Sequence, residues 1–108
     1  IGGDYDDVVR RLMGEKLVRK FLLKFLDDKS YADLGRTLSE GDYKEAFRAA
    51  HTLKGVCLNL GFTELYKVSA ELTEVLRGRE TAGSDELYAQ VKEQYTTLTD
   101  AIRELAGN

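Results

Sequence analysis

The sequence predicts an all-α chain: an antiparallel up-down four-helix bundle with an additional short N-terminal helix. Three observations lead there. The 108 residues include ten Gly but no Pro, so nothing forces a break inside a helix. Apolar residues recur at the mixed three-and-four spacing of helices buried along one side. No segment shows the strict alternation of a half-buried strand.

The elements follow in order. Asp4 to Met13 fits a short amphipathic helix with Val8, Val9, Leu12 and Met13 on one side, interrupted by Gly14. From Glu15 to Asp27, the residues Val18, Phe21, Leu22, Phe25 and Leu26 form a core-facing stripe. Asp27-Asp28-Lys29-Ser30 is a polar break. Ser30 with Asp33 three residues on resembles a capping box, restarting a helix that carries Tyr31, Leu34 and Leu38. Gly41 closes that helix, and Asp42 with Glu45 opens the next, which runs to Leu60 and ends at Gly61 in an αL position. Thr63 is the expected N-cap of a helix with Leu65, Val68, Leu72 and Leu76 inside. A loop from Arg77 to Gly83 precedes Ser84, the expected cap of a last helix bearing Leu87, Val91, Leu98, Ile102 and Leu105. Short connections favour antiparallel neighbours, hence the bundle, read as a single domain over residues 1–108.

Composition narrows the function classes. With 43% hydrophobic and 32% charged residues the chain is globular in type and not disordered. A net charge of −3, with no basic run, speaks against nucleic acid or an anionic membrane as partner. No apolar run has the length of a membrane span, so no membrane insertion is expected. The single Cys57 cannot form an internal disulfide, and no signal-peptide pattern is visible, which together point to a reduced, cytoplasmic setting.

The stretch Ala50 to Gly61 holds the one histidine of the chain. On a helix, His51, Lys54 and Gly55 stand at i, i+3 and i+4 and share a face. Ala46, Ala50, Leu53, Cys57 and Leu60 form a separate apolar stripe, and His51 lies about 140° from its middle, so the imidazole points to solvent. Phe47 and Leu58 flank His51 on the exposed side as an apolar rim. With Val8, Val9, Leu12 and Met13 they are the candidate docking surface for a partner.

His51, Lys54, Gly55 and Gly61, in the pattern His-x-x-Lys-Gly followed by a second Gly six residues later, resemble the signature of histidine-containing phosphotransfer (HPt) domains of two-component phosphorelays. Ala50, Leu53 and Asn59 also fit it. The resemblance implies that His51 accepts a phosphoryl group from a receiver-domain aspartyl phosphate and passes it to another receiver aspartate. Imidazole suits such a task, since its ordinary pKa of ~6.5 leaves much of it neutral and nucleophilic near pH 7. Lys54 would offset the arriving charge, and Gly55 would give the partner room. Gly in a helix interior costs about 1 kcal/mol against Ala, so its presence calls for a reason.

Gly61 reads as a helix terminator, and Asn59 either orders that terminus or bonds to the imidazole. Some HPt domains carry a Gln twenty-two residues after the His. Thr73 stands at that position here, and Arg77, one turn on, is the alternative donor. The partners implied are receiver domains and a hybrid sensor histidine kinase, with the chain itself monomeric. As a phosphotransfer intermediate it would have no kinase or ATP-binding activity of its own. No cofactor or metal is expected in this domain, and the Mg²⁺ of the reaction would come from the receiver. A helical adaptor that binds a receiver or a partner helix without accepting phosphate is the alternative. A metal or haem bundle fails on inventory, with one His, one Met and no Glu-x-x-His motif.

Overall fold

The computed structural model describes residues 15–78 and 83–107, with side chains at 19–78 and 83–105. Five helices account for nearly all of them: α1 (Glu15–Asp27), α2 (Ser30–Ser39), α3 (Tyr43–Leu60), α4 (Thr63–Arg77) and α5 (Ser84–Gly107). Among the described residues there is no strand. The expected helix carrying Val8, Val9, Leu12 and Met13 lies outside the described residues.

The polar break falls at Asp28-Lys29, so α1 and α2 together make one interrupted rod. The rod and the three remaining helices close a ring. α2 packs on α3, α3 on α4, α4 on α5, and α5 returns to α1. The directions alternate. Arg19 Nη2 donates to Leu105 O at 2.8 Å, Phe25 meets Tyr95 at 5.7 Å, and Tyr31 meets Tyr88 at 6.3 Å, so the rod ascends while α5 descends. This is the four-helix bundle read from the sequence, with its first member broken in two.

The core takes one stripe from each helix. Leu22 and Phe25 of α1, Leu34 of α2, Leu53 and Cys57 of α3, Leu65, Leu72 and Leu76 of α4, and Val91, Leu98 and Ile102 of α5 are all buried. Truncating one such Leu to Ala removes roughly 2–5 kcal/mol. Three further features depend on tertiary packing. Tyr31 stacks on Tyr95 with ring centroids 3.8 Å apart and nearly parallel planes. Burial, with help from a hydrogen bond to Tyr88, pushes the Tyr31 hydroxyl up to about 12. Buried Thr37, Thr73 and Thr99 donate their hydroxyls to the carbonyls of Asp33, Ser69 and Tyr95 four residues back, which lets a polar side chain enter an apolar interface.

Three N-caps differ from the sequence reading. Ser84, the expected cap of the last helix, is instead the first residue of α5, with Leu87 N donating to Gly83 O. Ser30 does not cap α2 but is its first residue. The N-cap position falls to Lys29, whose side chain makes no capping bond, while the Asp28 carboxylate one residue earlier accepts from both the backbone N and the hydroxyl of Ser30. Thr63 is likewise the first residue of α4, behind Phe62, and no side chain caps that helix. Phe62 is buried against Phe25 at 5.0 Å, and this apolar contact fixes the entry into α4 in place of a polar cap.

Candidate functional site

The site is built on α3, and both ends of that helix are fixed by short-range chemistry. The Asp42 carboxylate accepts from the Glu45 N at 3.2 Å, as the sequence pairing suggested. At the other end Gly61 adopts φ 75°, a left-handed conformation with little penalty only for Gly. The turn is closed by Phe62 N donating to Cys57 O at 2.9 Å and Gly61 N donating to Leu58 O at 3.3 Å. Along the inner face Ala46, Ala50, Leu53 and Cys57 are fully enclosed, and Ala49 joins them. Leu60 is only half-buried. Burial pushes the Cys57 thiol up to about 12, with a smaller contribution from the Asp28 charge, so it is a core side chain and no nucleophile.

That anchoring presents His51 to solvent in the middle of the helix, where the stripe arithmetic placed it. Phe47, one turn earlier, sits with its ring centroid 6.0 Å from the imidazole at a tilt of 48°. Phe47 is half-buried and packs on the core, so it is a fixed platform beside the imidazole more than a protruding knob. From α4 the Arg77 guanidinium carbon lies 5.1 Å from the centre of the Phe47 ring, and Arg77 Nε donates to Glu74 Oε2 at 3.1 Å. Arg77 is thereby carried across from the neighbouring helix to the surroundings of His51.

Lys54 is half-buried and makes no ion pair among the described residues, which leaves its ammonium available to an incoming anion. Over Gly55 the space is open. A methyl group built on its Cα would meet no described atom within 4 Å beyond the helix's own nearby backbone. Leu58, two turns past His51, is 60% exposed, the largest exposure among the large apolar side chains of the described residues. The structure therefore brings together an accessible imidazole, a cation one turn away, a bare patch and an exposed apolar side chain.

Two expected supporting roles do not survive. Thr73 is fully buried and its hydroxyl hydrogen is engaged with Ser69 O at 2.7 Å, so it offers no donor to a group at the surface. A threonine is short enough to turn inward and satisfy itself on its own helix, which a longer Gln does less readily. Asn59 lies eight residues beyond His51, about 12 Å along the axis, and cannot reach the imidazole. It lines a groove between α1 and the end of α3 with Phe21, Phe25, Val56 and Leu60. Gly61 is the terminator it was read to be.

The sequence reading passed over Lys44 and Arg48. At 100° per residue they lie about 20° and 60° around the helix from His51, on the side where the core is not. Both are exposed. The same arithmetic that placed His51 outside would have found them. Among the described residues no group of His, Cys, Asp and Glu is arranged to hold a metal ion, and no helix is long and apolar enough to cross a membrane.

Comparison with known proteins agrees with the geometry. The family model described as Hpt domain matches residues 18–105, a span that runs through all five helices. No curated protein and no solved structure matched the chain.

Proposed function

The chain belongs to the Hpt domain family, whose members act in two-component phosphotransfer, and from that premise we propose that His51 is its phosphoacceptor in a phosphorelay. One observation supports this above the others. The single imidazole stands exposed on a helix whose opposite face is sealed, with open space over Gly55 where a bulky partner must approach.

The step needs no acid or base from this chain. A neutral ring nitrogen of His51 attacks the phosphorus of an aspartyl phosphate on a receiver domain. The N–P bond forms as the P–O bond to the aspartate breaks, the carboxylate leaves as an anion, and the imidazole releases its proton to water. Transfer to a second receiver reverses these bond changes on another aspartate. Lys54 offsets charge on the moving phosphoryl group. Arg77 is placed to add a second cation from α4 once it leaves the Phe47 ring, an exposed stacking interaction of modest strength. The Mg²⁺ of the reaction would be bound by the receiver's carboxylates.

One accessible imidazole per chain is sufficient, so the module acts as a monomer between receiver domains, or between a hybrid sensor kinase and a receiver, in the cytoplasm. The test is incubation with a radiolabelled receiver phosphate. Label that is acid-labile and alkali-stable should appear on the chain and be absent from His51→Gln. Binding without any label would favour a helical adaptor instead, and label retained by His51→Gln would rule out His51 as the acceptor.

A further inference from the structure

The charges of this bundle are not spread evenly. α3 carries Lys44, Arg48 and Lys54 against the single carboxylate of Glu45, a net +2 in a chain whose total is −3. All three cations fall within about 60° of His51 around the helix axis, whereas Glu45 lies about 120° away. Along the axis they bracket the imidazole, from roughly 10 Å before it to about 5 Å after it. Lys44 and Lys54 have no ion-pair partner among the described residues. Arg48 reaches Glu45 at 3.2 Å, an exposed pair turned away from the imidazole.

The balance reverses across the bundle. α5 bears Asp85, Glu86, Glu93, Asp100 and Glu104 against Lys92 and Arg103, a net −3. The neighbours of α3 are α2 and α4, which leaves α5 diagonally opposite. The module is therefore electrically polar, with a positive side that α3 shares with α1, whose residues also sum to +2, and His51 lies on that side.

We infer that Lys44 and Arg48 form, with Lys54, an association surface for the acidic rim of a receiver domain's phosphoacceptor site, and that the charge separation between α3 and α5 steers that encounter. The inference rests on the receiver-partner reading above and deepens it. An aspartyl phosphate beside the oxygen ligands of a Mg²⁺ site is rich in negative charge, which complements the α3 face and opposes the α5 face. Lys44 and Arg48 contact the partner's rim and not the phosphoryl group. Their effect belongs to the association rate, as is usual for charges at the edge of an interface.

The test uses the receiver domain that binds the chain most tightly in a panel, labelled with a fluorophore and followed by stopped-flow anisotropy at several salt concentrations. The wild-type association rate should fall about tenfold between roughly 0.05 and 0.5 M salt. A Lys44→Gln/Arg48→Gln variant should associate about fivefold more slowly at the low-salt end and converge with wild type at the high-salt end. Its transfer rate within the saturated complex should be unchanged. Lys92→Gln on α5, the control, should associate no more slowly than wild type. A salt-independent wild-type association rate, or a double variant equal to wild type at low salt, would overturn the inference. Salt-steered binding with no label on His51 would overturn the relay reading alone; normal labelling with salt-independent binding would overturn the steering alone.

Discussion

Replacing Gly55 by Ala should make the protein more stable and a poorer phosphotransfer partner at once. The stability half follows from local geometry. Gly55 is inside α3, where Gly is about 0.8–1 kcal/mol less favourable than Ala, and the added methyl meets no described atom within 4 Å beyond nearby helix backbone. With no steric penalty to set against it, nearly the whole ~1 kcal/mol should appear as stability. For a domain of this size that raises Tm by about 4–8 °C. The functional half follows from where the methyl points, on the His51 face and into the space a receiver must enter. Gly55→Ala should slow transfer from a receiver phosphate a few-fold, and Gly55→Gln, whose side chain reaches further, by about a hundredfold. Phosphoramidate, a donor small enough to reach His51 past either side chain, should label both variants within about twofold of wild type. Thermal melts followed by far-UV circular dichroism, with single-turnover transfer assays, measure the two halves separately. A lower Tm for Gly55→Ala would refute the open geometry. Unimpaired receiver transfer in Gly55→Gln would refute the access role.

Three other outcomes are expected. Lys54→Ala should slow receiver transfer by about tenfold while its urea midpoint moves little, because a half-buried side chain without an ion pair contributes charge more than packing; equal transfer rates would remove its role. Gly61→Ala forces a Cβ into φ 75° and should cost about 1–2 kcal/mol, read in the denaturation midpoint, with transfer by the folded fraction unaltered. The third concerns alkali. The Cys57 thiol and the Tyr31 hydroxyl are pushed up to about 12 in the folded state, from ordinary values of 9.0 and 10.0. The native state holds these protons longer than the unfolded chain, so their contribution is complete below about pH 9 and is lost as pH rises toward 12. For Cys57 the full swing is roughly 4 kcal/mol at most. The denaturation midpoint should fall steadily between pH 9 and pH 12, and a flat profile would contradict the burial assigned to both groups.

The parts of the fold that were legible in the sequence are those decided within a few residues. The period of Ala46, Ala50, Leu53 and Cys57, with the flanking Asp42 and Gly61, sets the limits and inner face of α3 and hence the exposure of His51. What sequence reasoning missed depends on choices between near-equivalents or on distant partners. Asp28 and Ser30 both have side chains competent to hold the start of α2, and only the path of the chain makes Ser30 the first residue of the helix and turns Asp28 onto its backbone N. The stacking of Tyr31 on Tyr95 joins residues far apart in sequence, and no local spacing announces it. Thr73 misleads because a polar residue type suggests the surface, whereas back-bonding to Ser69 lets it go inside. In the site, His51 and Lys54 were readable as neighbours because they share one turn. Arg77 was readable only as a candidate, since its place over Phe47 depends on how α4 lies against α3.

These pieces bear on why the α3 surface departs from the habits of the rest of the bundle. On α2, α4 and α5 the sequence sets carboxylates one turn from cations, as in Arg36 with Asp33 and Glu40, Lys67 with Glu64, Arg77 with Glu74, and Arg103 with Asp100. Each such pair contributes a few tenths of a kcal/mol to its helix. On the His51 face of α3 only Arg48 has such a partner, Glu45 at the edge of that face, while Lys44 and Lys54 have none among the described residues; a glycine stands where Ala would be more stable, and Leu58 is left in water. Three local choices thus weaken the same side of one helix, while the opposite side is packed without exposure. Stability alone would not place all three around the single imidazole, whereas approach by a bulky acidic partner requires each of them: room, positive charge and an apolar contact.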